Sequence, residues 1–142
     1  MAVIASSLVD TLPMHNREIA CLFYMKKDKI YTSPPFIGNE LFVMIPYENY
    51  ENVVGDFHTH VPKGLWYDVF STGDIKTFID QELEFMICKG GDMWFYVSTN
   101  TLTMKTKYYI EKYKVEKNRG KKGAILKKLF EYFEDSKKFL YE

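Results

Sequence analysis

A chain of 142 residues suits one domain able to bury a core, and 46% hydrophobic against 27% charged residues excludes a disordered chain or a fibrous repeat. The formal net charge is zero, but Lys105 to Lys128 gathers ten basic residues against Glu111 and Glu116, so neutrality overall hides a basic region. No apolar run approaches the about 20 residues that cross a bilayer, and Met1 to Leu12 lacks the basic start and apolar core of a leader, so an intracellular protein without a membrane partner is expected.

Ser6 to Met14 reads as a first helix, with Ser6 or Ser7 as cap and Leu8, Val9 and Leu12 on one side. Glu18 then opens the run Ile19 to Met25, whose unbroken apolarity over a short length predicts a buried strand. Lys26 to Lys29 makes a polar turn, and Ile30 to Ser33 an antiparallel return stopped by Pro34 and Pro35. A third strand is expected over Leu41 to Pro46 and a fourth over Val53 to His58. Val61 to Phe70, with Pro62 and Gly64, is a loop carrying Trp66, Tyr67 and Phe70.

Ser71 begins a helix in which Ile75, Phe78, Ile79 and Leu83 recur at helical spacing, with Lys76, Asp80 and Glu84 on the other side. Phe85 to Cys88, the turn Lys89 to Asp92 and Met93 to Val97 read as a hairpin, since Gly90 and Gly91 supply the positive φ of tight turns. A further strand is expected from Thr101 to Tyr109 or beyond, a break at Asn118 to Gly120, and a last amphipathic helix over Ala124 to Leu140 with Ile125, Leu126, Leu129, Phe130 and Phe133 inward. The expected fold is α/β or α+β: a mixed sheet of about six strands flanked by helices. Residues 1–142 form a single domain whose C-terminal strand and helix, from about residue 105, are basic.

Two of the three histidines stand in Gly55-Asp56-Phe57-His58-Thr59-His60, and Ser71-Thr72-Gly73-Asp74 follows a short loop later. In a strand His58 and His60 share a face, roughly 6 to 7 Å apart at Cα, so their imidazoles can converge on one ion. Asp74, in the first turn of the next helix, supplies a third donor. Two nitrogens and one carboxylate suit Zn²⁺ with a fourth position open to water, the pattern of a catalytic site. Asp56, on the same face, is the rival carboxylate and ranks lower because three consecutive same-face positions are nearly collinear. Ser71-x-x-Asp74 also fits an ordinary helix capping box. His15 stands alone in a polar turn, where surface is the default, and Cys21 and Cys88 fit buried, reduced thiols.

A zinc-bound water is acidified from about 16 toward about 7, yet amide hydrolysis also needs a group to take a proton and return it to the leaving amine. Spacing alone does not choose that group among nineteen acidic residues.

Taken together, Glu18 opening a buried strand, His58-Thr59-His60 at a strand end and Ser71-Thr72-Gly73-Asp74 opening a helix resemble the signature of the JAMM metalloproteases, the MPN+ or JAB domain family. The resemblance spans about residues 6 to 98. It implies a fold like that of cytidine deaminase, zinc on His58, His60 and Asp74, Glu18 as the base that activates water, and Ser71 as a donor to the oxyanion. It further implies isopeptidase or peptidase action on the tail of a ubiquitin-like or other small protein. The ten residues from Val61 to Phe70 are a longer spacer than the family uses, and Pro62 falls one place later than its usual proline.

Two other metal chemistries are excluded. A PHP-type phosphoesterase shares the His-x-His pattern but needs a far longer barrel and later histidines, and none follows His60. Cytidine deamination needs His-x-Glu and paired cysteines, which are absent. An alternative of another class is a binding module, a weak or inactive MPN domain, whose lysines interleaved with Tyr108, Tyr109 and Tyr113 hold nucleic acid or an acidic protein.

Overall fold

The structure is a computed structural model that describes residues 17–39, 42–61, 68–91 and 93–140. The expected helix Ser6 to Met14, His15, Trp66 and Tyr67 lie outside these residues. The described chain is mixed α/β, with seven strands rather than about six: β1 Ile19–Lys26, β2 Lys29–Thr32, β3 Phe36–Ile37, β4 Val53–His60, β5 Phe85–Gly90, β6 Met93–Ser98 and β7 Lys138–Phe139. Its three helices are α1 Thr72–Asp80, α2 Met104–Val115 and α3 Arg119–Ser136.

The sheet runs β2-β1-β4-β5-β6-β7, with β3 also paired to β1. All pairs are antiparallel except β4 with β5, which α1 connects. The most apolar runs take the middle: Ile19 to Phe23 of β1 and Gly55 to His60 of β4 are buried. The turn after β1 places Lys27 and Asp28 at positive φ (51° and 64°), the twist that joins tight antiparallel pairs. Beyond β2, Pro34 and Pro35 interrupt the ladder because proline has no N–H to give. Ser33 bridges the gap, donating its N–H to Leu22 O at 2.8 Å while its Oγ accepts the Leu22 N–H at 2.8 Å. The return strand is thus split into β2 and β3.

Three sequence expectations are corrected. The third strand is Phe36–Ile37, and residues 42–46 form none; Asn39 N–H bonds Phe42 O (3.0 Å) and Asn39 Oδ1 accepts the Phe42 N–H (3.0 Å), turning the chain away. Of the stretch expected as a strand from Thr101 to Tyr109, the part from Met104 is instead the start of α2. Its threonines and tyrosines favour strands, but Thr103 caps a helix by accepting the Thr106 N–H (3.1 Å), and Thr106, Ile110 and Tyr113 fall on one buried side. The chain does break at Asn118, between α2 and α3, but the last helix, expected over Ala124 to Leu140, begins earlier and ends earlier, at Arg119 and Ser136, because Asn118 Oδ1 caps it by accepting the Lys121 N–H (3.0 Å). The chain then pairs with β6 through Phe95 and Phe139.

All three described helices pack on one face of the sheet, where Ile75, Phe78, Ile110, Tyr113, Leu129 and Phe133 meet Met86, Cys88, Phe95 and Val97. The other face clusters Cys21, Phe23, Phe57 and Ile87. Two glycines permit close approaches. A Cβ on Gly55 would lie 2.4 Å from the Phe85 ring, and one on Gly38 would lie 2.1 Å from Phe42 O. Gly38 therefore lets residues 42 and 43 pass against the start of the sheet.

Candidate metal centre

The strand alternation sends His58 and His60 to the helical face of β4 and Thr59 to the other, where Thr59 Oγ1 accepts the Ile19 N–H at 2.9 Å. The imidazoles are nearly fully buried, with ring centroids 5.0 Å apart. Asp74 reaches them from α1. Its Oδ1 lies 3.2 Å from His58 Nε2 and its Oδ2 3.1 Å from His60 Nε2. Each histidine thus faces a different oxygen of Asp74, at a separation close to the about 3.3 Å between neighbouring donors about 2.0–2.1 Å from a tetrahedral zinc.

The capping box and the metal reading coexist. Ser71 Oγ accepts the Asp74 N–H (3.1 Å), and Asp74 Oδ2 accepts the Ser71 N–H (2.8 Å), which turns the carboxylate toward the histidines.

Burial acts to lower the pKa of both histidines, but Asp74 outweighs it: His58 is held well above its ordinary value and His60 is pushed up to about 10, with Cys88 contributing in each case. Burial acts to raise Asp74, and the two histidines outweigh it, holding that carboxyl far below the usual range. Each of these shifts favours the charged form of its group. Among the described residues, His58 Nε2 and Asp56 Oδ1 are buried side-chain atoms without a hydrogen-bond partner; the 3.2 Å approach of Asp74 to His58 lacks the alignment of a hydrogen bond. An orphaned, nearly inaccessible imidazole nitrogen beside a carboxylate is what a cation would satisfy.

Cys88 is the residue that sequence reasoning placed only as a buried thiol. It is buried, but its β5 position pairs in register with His58, and donor atoms of His58, His60 and Cys88 lie within 4.8 Å of one another. These three residues can hold a metal ion. The parallel pairing across α1 creates this neighbourhood, and no spacing motif announces it.

Glu18 immediately precedes β1. Ala20 pairs with His58 in the antiparallel β1–β4 register, so Glu18 falls level with His60. Burial raises its carboxyl to about 7, against the opposing pull of His60 and His58 and with a further push from Asp74. Glu18, His58, His60, Ser71 and Asp74 all line one cavity of about 330 Å³, together with Asp56, Gly73, Thr77 and the segment from Phe42 to Ile45. Cys88 does not line it. A larger cavity, about 500 Å³, lies between α1 and α2 against Phe78, Leu83 and Ile110, but among the described residues no group of converging metal donors lines it. Asp56 is placed beside His58 rather than among the converging donors: its Oδ1 is 3.5 Å from His58 Nδ1 and its Oδ2 accepts the Tyr47 hydroxyl at 2.7 Å.

The basic region lies on α2 and α3. Lys122 sits 4.6 Å over the Tyr113 ring and Lys112 lies 5.3 Å from the Tyr108 ring; Tyr113 is buried and Tyr108 exposed. Among the described residues no helix is long and apolar enough to cross a membrane.

Comparison of the chain with protein-family models, with curated proteins and with solved structures finds no match.

Proposed function

We propose that this protein is a zinc-dependent amide hydrolase resembling the JAMM isopeptidases, with a layered fold like that of cytidine deaminase. Its substrate is the extended tail of a ubiquitin-like or other small protein. One observation carries this reading: a single cavity is lined by two histidines and an aspartate with converging donors, by Glu18 and by Ser71. His58, His60 and Asp74 would hold the ion, because they face the cavity whereas Cys88 lies in the core behind it. Zinc supplies a Lewis acid and an acidified water.

The protein's own groups do the rest. Glu18, with a carboxyl near neutrality, takes a proton as base and returns it to the departing amine as acid. Ser71 Oγ accepts the Asp74 N–H, and its own O–H would donate to a developing oxyanion. Phe42 and Met44, exposed by 52% and 76%, offer apolar surface beside the cavity for the flanking residues of an extended tail.

The test is metal content and cleavage with the purified chain. One equivalent of zinc and cleavage of ubiquitin-like fusions or conjugates are expected, with activity abolished by chelation and lowered by roughly 10²- to 10⁴-fold in Glu18→Gln. A Glu18→Gln protein as active as the parent, or a parent that never takes up zinc, overturns the assignment.

A further inference from the structure

Building on the zinc reading, we propose that Asp56, pinned by Tyr47, is the positioning residue that fixes the ring orientation and tautomer of His58, so that Nε2 faces the cation. Asp56 is 2% exposed, and a buried carboxylate is costly unless both its oxygens are satisfied. Oδ2 is satisfied by the Tyr47 hydroxyl at 2.7 Å, while Oδ1 has no hydrogen bond and stands 3.5 Å from His58 Nδ1. Closing that gap by a few tenths of an ångström gives an Nδ1–H···O bond of ordinary length. With the proton on Nδ1, the neutral ring presents an unprotonated Nε2 on its far side, where Asp74 Oδ1 lies 3.2 Å away. A cation on Nε2 and a closed Nδ1–H···Oδ1 bond would together satisfy the two orphaned buried atoms, His58 Nε2 and Asp56 Oδ1.

The geometry separates this role from direct ligation. Tyr47 occupies one Asp56 oxygen and His58 Nδ1 faces the other, so the carboxylate is engaged on the side of the ring away from Asp74. The Tyr47 phenol is itself a committed donor: burial, and then the charge of Asp56, push its pKa far above the ordinary value. Tyr47 belongs to a 3-10 turn, Tyr47–Asn49, so the anchor comes from the loop that also walls the cavity. A carboxylate or carbonyl behind a metal-binding histidine usually contributes 10–100-fold to metal affinity.

The experiment uses the full chain with Asp56→Asn and Tyr47→Phe. Zinc affinity is measured by competition with a chromophoric chelator, and coordination is read from the visible spectrum of the cobalt(II)-loaded protein. Asp56→Asn is expected to raise the zinc dissociation constant roughly 10–100-fold. Tyr47→Phe is expected to raise it less, by about fivefold, and the cobalt spectrum keeps its coordination number in both. A merely structural role would lower the melting temperature of the metal-free protein and leave zinc affinity unchanged, which overturns the proposal. Loss of a donor in the cobalt spectrum of Asp56→Asn overturns it too, by making Asp56 a ligand. If Asp56→Asn does not fold, the Tyr47→Phe affinity decides. A parent that binds no zinc overturns the metal reading itself, whereas variants equal to a zinc-binding parent overturn only the role of Asp56.

Discussion

Ser71 and Asp74 cap each other at the start of α1, each side chain accepting the other's backbone N–H, at 3.1 and 2.8 Å. The bond that orients the Asp74 carboxylate comes from the Ser71 backbone, so truncating the Ser71 side chain leaves it in place. Ser71→Ala should therefore keep zinc affinity close to that of the parent while lowering kcat on the order of 10²-fold, the loss of one oxyanion donor. It should also cost about 1 kcal/mol of stability for the missing cap. Zinc competition, steady-state kinetics and thermal melts separate the three readouts.

Metal uptake should release protons. His60 in the metal-free fold is raised from 6.5 to about 10, so it carries a proton at neutral pH that a cation must displace. Zinc affinity should then rise with pH toward 10, and calorimetry in buffers of different ionisation enthalpy should count the protons. The same shift sets a stability window. A raised folded-state pKa stabilises fully below about 6.5 and loses its contribution as pH rises through about 10, so the metal-free protein should melt lower across that range.

The pH dependence of cleavage should report Glu18. Its carboxyl stands near 7 without metal, and a nearby cation lowers it, so the acidic limb of kcat/KM should fall at or below pH 7. Glu18→Gln should abolish that limb and lower kcat by roughly 10²- to 10⁴-fold, with zinc content unchanged.

The thiols should be silent in the folded protein. Burial, and then the charge of Asp56, push Cys21 up to about 12, and Cys88 is fully buried. Alkylating reagents at pH 8 should label neither until the chain unfolds. The cobalt-loaded protein should show no thiolate charge-transfer band if Asp74 is the third donor; a band lost in Cys88→Ala would move that role to Cys88.

Gly38→Ala should damage the site without touching a proposed ligand. A Cβ there meets backbone atoms of Phe42 and Val43 at 2.1 and 2.6 Å, so the segment walling the cavity must shift. A raised KM with nearly unchanged zinc affinity is expected.

The local parts of this arrangement were legible because local chemistry writes them. The apolar run at Ile19, the alternation around His58 and the cap at Ser71 each fix structure within a few residues. The missed parts depend on partners far along the chain. The β-rich composition of Thr101 to Tyr109 yields to a helix because Thr106 bonds Ser136 Oγ (3.0 Å) and Tyr132 O (3.2 Å), contacts that a linear pattern does not contain. Cys88 escaped for the same reason: its closeness to His58 follows from the parallel pairing of β4 and β5. Asp56 was read as a same-face acid and does lie beside His58, but its engagement with Tyr47 depends on how the chain turns at Asn39 and Tyr47.

The pairing of β1 with β4 has a consequence for the order of events during folding. His58, His60 and Asp74 lie close along the chain and meet through one loop and one helix start, whereas Glu18 joins them only when β1 docks along β4. Contacts of short sequence separation form sooner than distant ones. A newly made chain can therefore bring His58, His60 and Asp74 together before Glu18, the proposed base, reaches them. If the proposed hydrolase chemistry holds, hydrolytic competence would wait on completion of the sheet's centre, delaying cleavage until the protein is folded.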